Sequence, residues 1–158
     1  MPKDTISPKD IAKYFLIRAQ EDGELISPLK MQKMVYFAYA AYLRSKKGKE
    51  KLFNEKIEAW PNGPVVPSLY QDLKVYGSGP INPVKYVDIS VDELTKSTPA
   101  EVIELLNGVY ETCSQFTAFE LTMATHQEKA WQEARKGLEA TEPSNNPLRD
   151  ETILSVGV

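Results

Sequence analysis

Cysteine and histidine each occur once in this chain, as Cys113 and His126. A single cysteine excludes an intramolecular disulfide and suits a reducing cytoplasm. One imidazole and one thiol cannot form the cluster that a structural zinc ion needs. Cations are in short supply too: 19 Lys and Arg against 22 Asp and Glu leave a net charge of −3. That balance argues against binding nucleic acid by bulk electrostatics. No apolar run approaches the roughly 20 residues of a bilayer-spanning helix. Met1-Pro2-Lys3-Asp4 lacks the apolar core of a signal peptide. The expectation is a cytoplasmic protein with no membrane partner. Internal repeats and low-complexity runs are also missing.

Catalytic groups are as sparse. Gly77-Ser78-Gly79-Pro80 ends in proline, lacks the following lysine and opens no helix, so it is not a phosphate-cradling loop. A Cys113–His126 nucleophile and base is conceivable on spacing, because such partners need not be adjacent in sequence. Cys113, however, falls on the apolar face of its helix, where a thiol is usually inert packing. We expect no enzyme, no metal and no cofactor. Lys46, Lys47, Lys49 and Lys51 form a small basic run that reads as a solvated loop.

What is present is helix. Ser7-Pro8, Ser27-Pro28 and Thr98-Pro99 each put a hydroxyl before a proline, the pattern of an N-cap followed by the first helical residue. Asp10 and Glu101 stand three residues after Ser7 and Thr98, and Glu120 three after Thr117, as capping arrangements require. These signals predict helices from Pro8 to about Gln20, Pro28 to about Ser45, Pro67 to about Tyr76 and Pro99 to Cys113. Two shorter ones follow, Ala118 to Thr125 and Glu128 to Lys136. The second helix is apolar nearly all round, as a core helix packed on several sides should be. Leu52-Phe53, Lys56–Trp60 and Lys85–Ser90 read as short strands, and Asn62-Gly63-Pro64 as a turn. The expected fold class is mainly α, one helical bundle around a central apolar helix with a small β element. Residues 1–136 form the domain and residues 137–158 a partly extended tail with one turn near Leu148–Leu154.

Several side chains have the character of contact residues. Lys30 and Lys33 lie three apart and share a helix face beside Gln32. They are either snorkelling solubilisers or cations that pin an acidic partner or an internal carboxylate. Eight tyrosines exceed what the core requires, and Tyr36, Tyr39, Tyr42 and Tyr70 suit a surface that is apolar yet hydrogen-bonding. Trp60 fits either core or interface. In Thr125-His126-Gln127-Glu128-x-x-Trp131, His126 and Glu128 are expected to lock a helix corner through side-chain–backbone bonds, with Trp131 plugging the core. A partner contact is the alternative for His126.

Three blocks recur together. The first is Ile26-Ser27-Pro28-Leu29-Lys30-Met31-Gln32-Lys33-Met34-Val35-Tyr36-Phe37-Ala38. The second runs through Leu52-Phe53-x-Glu55-x-Ile57-Glu58-Ala59-Trp60 to Gly63-Pro64-Val65-Val66-Pro67-x-x-Tyr70. The third is Leu121-Thr122-x-x-Thr125-His126-Gln127-Glu128-x-x-Trp131. Their order over residues 8–136 resembles the Panacea domain, the antitoxin domain of bacterial and phage toxin–antitoxin pairs. The chain departs from that pattern at Pro61-Asn62, where an aromatic often precedes the glycine, and at Ala130, where proline often precedes the tryptophan. The resemblance implies an antitoxin that neutralises a cognate toxin, encoded beside it, by direct binding. Contact residues are then expected among Lys30, Lys33, Tyr36, Trp60 and Tyr70, with Gly63, Pro64, His126, Glu128 and Trp131 as structural motif residues. Members that repress their own operon carry extra DNA-binding segments, so autoregulation is not expected here. Two other roles stand beside this one. A proteolytic adaptor would hand the toxin to an ATP-dependent protease through the apolar segment Ile153–Val158. A phage accessory protein would act on host machinery.

Overall fold

Side-chain caps start the first two helices. The computed structural model describes residues 5–155. Helix α1 (Pro8–Asp22) begins where the Ser7 hydroxyl accepts from the Asp10 amide, and ends at Gly23, whose φ of 69° lets its N–H turn back to the Ala19 and Gln20 carbonyls. Helix α2 (Pro28–Ser45) begins the same way, with Ser27 accepting from the Lys30 amide. Its buried residues run right round the helix, from Met31 to Leu43. Helix α2 is the axis of a mainly helical single domain.

The chain next passes Leu52 and Phe53, both fully buried. They are not a strand: among the described residues their only backbone pairing is the Leu52 carbonyl accepting from the Thr5 and Ile6 amides. Strands β1 (Glu58–Trp60) and β2 (Gly63–Val65) pair antiparallel, Glu58 with Val65, Ala59 with Pro64 and Trp60 with Gly63. The turn is therefore Pro61-Asn62, one step earlier than expected, and Gly63 and Pro64 belong to the strand. Helix α3 (Pro67–Leu73) and a 3₁₀ turn (Lys74–Tyr76) follow, closed at Gly77.

The strand expected over Lys85–Ser90 is not formed. Asn82 caps a short helix α4 (Pro83–Tyr86) and Ser90 caps helix α5 (Val91–Lys96), which had no counterpart in the sequence reading. Among the described residues no strand pairs with Lys85–Ser90, while two cap side chains are available locally. Thr98 does not cap the next helix either. Its hydroxyl donates to the Leu94 carbonyl at 2.8 Å and closes α5, leaving Pro99 to precede helix α6 (Ala100–Cys113). Glu101 instead pairs with Lys46 at 2.8 Å.

Helix α7 (Ala118–His126) opens with the complete Thr117–Glu120 capping box. Helix α8 (Lys129–Ala134) follows it, and helix α9 (Asp150–Leu154) lies near the C-terminus. The chain before α9 edges the hairpin: Ala59 N–H donates to the Asn146 carbonyl and Leu148 N–H to that of Ile57, each at 2.8 Å. This covers an otherwise unpaired strand. Ile153 is buried against the core, so the start of the apolar segment that an adaptor would offer to a protease is docked. Val156–Val158 lie outside the described residues.

The tyrosines explain themselves internally. Tyr14, Tyr36, Tyr39, Tyr42, Tyr86 and Tyr110 each place the hydroxyl on an Asn, Asp or Glu side chain, at 2.5–3.1 Å. Every one of these except Tyr86 is a buried residue. A tyrosine can fill a core and still satisfy its polar tip at the boundary. Their number thus follows from packing between helices, not from a sticky surface.

Candidate functional site

The three sequence blocks meet at the seam between α2, the hairpin and the α7–α8 corner. Gln32 uses both ends of its amide: Oε1 accepts from the Val66 amide at 2.9 Å and Nε2 donates to the Val66 carbonyl at 3.2 Å. One side chain thereby completes the backbone pairing of a segment leaving the hairpin. One residue on, Lys33 is wholly buried and its Nζ donates to the Pro64 carbonyl at 3.3 Å. Desolvation holds the Lys33 ammonium down to about 7.

Gly63 is where that seat becomes tight. Its φ is +115°, and a Cβ there would lie 2.7 Å from Thr125 Oγ1 and 2.9 Å from Lys33 Cε. Backbone angle and space both demand glycine. Thr125, also fully buried, donates its hydroxyl to the Thr122 carbonyl at 2.7 Å. Two buried polar atoms beside this seam, Thr122 Oγ1 and His126 Nε2, lack a hydrogen-bond partner among the described residues. Burial is the main cause that lowers the His126 pKa, with the Lys33 and Arg135 cations adding to it.

The α7–α8 corner is held differently from expectation. Glu128 makes no side-chain cap to α8. It turns inward, where Oε1 accepts from the Tyr36 hydroxyl at 2.7 Å and from Arg44 Nη2 at 3.2 Å. Arg44 also donates from Nε to the Ile153 carbonyl at 3.0 Å. Desolvation, and then the charge of Glu128, push the Tyr36 phenol far above its ordinary pKa. His126 stacks on Trp131, with centroids 4.2 Å apart at 12°. Trp131 is half-buried, and its Nε1 donates to the Trp60 carbonyl at 2.9 Å. Arg135 adds a bond to the Ala59 carbonyl at 2.8 Å. Every block thus helps to clamp the hairpin onto α2.

Burial divides the expected contact residues. Lys33 and Tyr36 are 0% exposed and present no atoms to a partner. Lys33 meets no carboxylate among the described residues, so of its open roles neither snorkelling nor an internal ion pair is seen there. Lys30 is half-buried at the start of α2. Trp60 and Tyr70 do come together, ring edge to face at 4.8 Å, around a depression of about 240 Å³ that Leu29 and Val65 also line. Tyr70 is exposed and Trp60 half-buried.

A larger feature lies between α2, α6 and α7, a groove of about 950 Å³ lined chiefly by apolar side chains. Its far wall is an inverted helix. Helix α7 turns Leu121, Thr122 and Thr125 inward while Phe119 is 71% and Met123 44% exposed. Phe116, just before it, is also exposed, and Phe37 of α2 shares the lining. Thr125 faces in where the Lys33–Gly63 seat is too tight for a larger group. The aromatic side chains at i and i+3, with Met123 at i+7, are visible as a stripe in the sequence, but a stripe at that spacing ordinarily marks core.

Cys113 borders the same groove and is buried, its thiol pushed up to about 11 by desolvation. It makes no hydrogen bond to His126, and no cluster of three or more potential metal ligands occurs among the described residues. Nor is any described helix long and apolar enough to cross a membrane.

No curated protein and no solved structure matches this chain. The family model described as antitoxin SocA-like, Panacea domain, matches residues 31–132. That span holds α2 from Met31, the hairpin with its Gly63 seat, and the corner through Trp131. With most of its length matched and the matched motifs converging on one seam, the chain belongs to the SocA-like antitoxin family with the Panacea domain.

Proposed function

We propose that this chain is a cytoplasmic antitoxin that neutralises a cognate toxin by binding it directly, with no catalytic step of its own. One observation carries the reading: α7 exposes Phe119 and Met123 beside an apolar groove while burying its threonines. A helix turned that way loses burial that a free monomer would benefit from, and contiguous exposed apolar surface of this kind marks a protein contact. The buried seam supports it, since a clamped hairpin and a pinned α7–α8 corner make a rigid platform. Trp60 of β1 and Tyr70 of α3 supply a second aromatic patch, lined also by Leu29, with Lys30 the next residue of α2.

Co-expression in bacteria with each neighbouring reading frame tests the reading. Restored growth together with co-purification of an intact toxin supports direct binding. If growth is restored while the toxin disappears, and loss of the ATP-dependent proteases abolishes rescue, the adaptor mechanism replaces it. If neither neighbour arrests growth, the antitoxin assignment for this chain falls.

A further inference from the structure

Helix α6 carries a glycine in its interior, Gly108, and that glycine lines the groove. A Cβ built there would meet nothing within 4 Å. No packing within the domain therefore requires glycine, and a helix interior disfavours it relative to alanine. The missing side chain leaves the backbone of α6 open to close approach from outside the domain. The commonest use of that opening is close approach of another backbone.

Charge narrows what approaches. Glu104 and Glu111 stand four before and three after Gly108, so they flank it on the surface of α6. Both are exposed and neither makes an ion pair among the described residues. Glu120, exposed on the α7 side, accepts only from the Thr117 amide. Of the basic groups nearby, Arg44 is held by Glu128 and the Ile153 carbonyl, and Lys46 by Glu101 and Glu50, while Lys30 lies close enough to Cys113 for its charge to act on the thiol. The groove is thus an apolar trough with an unneutralised acidic rim.

We infer that the trough between α2, α6 and α7 receives an apolar segment of the toxin flanked by Lys or Arg, whose backbone lies against Gly108. The inference rests on the antitoxin reading. Phe116, Phe119 and Met123 cover the apolar face of that segment, and the three glutamates meet its basic flanks. Electrostatic steering by the rim makes association faster at low salt.

The test uses the full chain and the growth-arresting product of an adjacent reading frame. Gly108→Ala and Gly108→Leu are each expected to raise Tm, by about 2–4 °C for a chain of this size. Gly108→Leu should weaken toxin binding at least tenfold and abolish rescue, with Gly108→Ala weakening it less. Glu104→Lys with Glu111→Lys should slow association and remove its salt dependence. A more stable protein that binds less tightly cannot be explained by damage to the fold. Wild-type rescue that Gly108→Leu and the charge reversals leave unchanged would overturn the groove assignment while leaving the antitoxin reading intact. So would a homodimer that Gly108→Leu dissociates, since a second copy would then own the trough. Absence of rescue by the wild-type chain would instead defeat the antitoxin reading itself.

Discussion

Replacing Lys33 by methionine should make this protein more stable at neutral pH. The ammonium is fully buried against α2 and the hairpin with one hydrogen bond, to the Pro64 carbonyl, and burial lowers its pKa from 10.5 to about 7. At about 1.4 kcal/mol per unit, keeping that amine inside costs on the order of 5 kcal/mol at pH 7. Methionine is similar in length, flexible and free of that penalty. It leaves the Pro64 carbonyl without its donor, which costs roughly 1–3 kcal/mol. The net expectation is a gain of about 2–4 kcal/mol. The sign of the pH dependence follows from the same shift. Between about pH 7 and 10.5 the unfolded chain holds a proton on Lys33 that the folded chain has released, so wild-type stability rises with pH across that window. Below it both states are protonated and the contribution is flat. The advantage of Lys33→Met should therefore shrink by roughly 1.5 kcal/mol between pH 7 and pH 8.5. Urea denaturation of both proteins at the two pH values measures it, and titrations of Cys113 and the tyrosines cancel in the difference. A variant less stable than wild type at pH 7, or an advantage independent of pH, would refute the reasoning.

Other perturbations of the seam and surface have equally definite outcomes. Gly63→Ala forces a side chain into a φ of +115° and onto Thr125 and Lys33; a loss of about 2–4 kcal/mol, read as a lowered Tm, is expected. Tyr36→Phe removes a 2.7 Å bond to a carboxylate but leaves Arg44 on it, so a loss of about 1–2 kcal/mol in urea denaturation should result, with the fold unchanged by circular dichroism. Tyr70→Ser, on an exposed ring, should leave Tm within about 2 °C of wild type. If Trp60 and Tyr70 contact the toxin, the same variant should weaken rescue in the co-expression assay; unchanged rescue would confine contact to the α6–α7 side.

The family motifs and the helices were legible for a local reason. Ser7, Ser27 and Thr117 cap their helices with hydroxyls that reach only three residues ahead, so sequence neighbours suffice. Thr98 failed as a cap because its hydroxyl had a local alternative, the Leu94 carbonyl four residues back, against the Glu101 amide three residues ahead. Alternation over Lys85–Ser90 failed because a strand needs a partner strand, which the order of residues does not supply.

Burial of charge and exposure of aromatics were decided only in three dimensions. By sequence, Lys33 and Lys30 are alike, and Phe119 is a better core candidate than Thr125. The chain itself determined a central apolar α2, its caps, a tight turn after Trp60 and the three blocks of an antitoxin family. Tertiary structure decided that Gly63 packs on Lys33 and Thr125, with no room there for larger groups. With Thr125 seated there, α7 turns Thr122 and Leu121 inward too and leaves Phe119 and Met123 facing out. Local pattern sets which residues can share a face, but the space left by distant segments sets which face is inside.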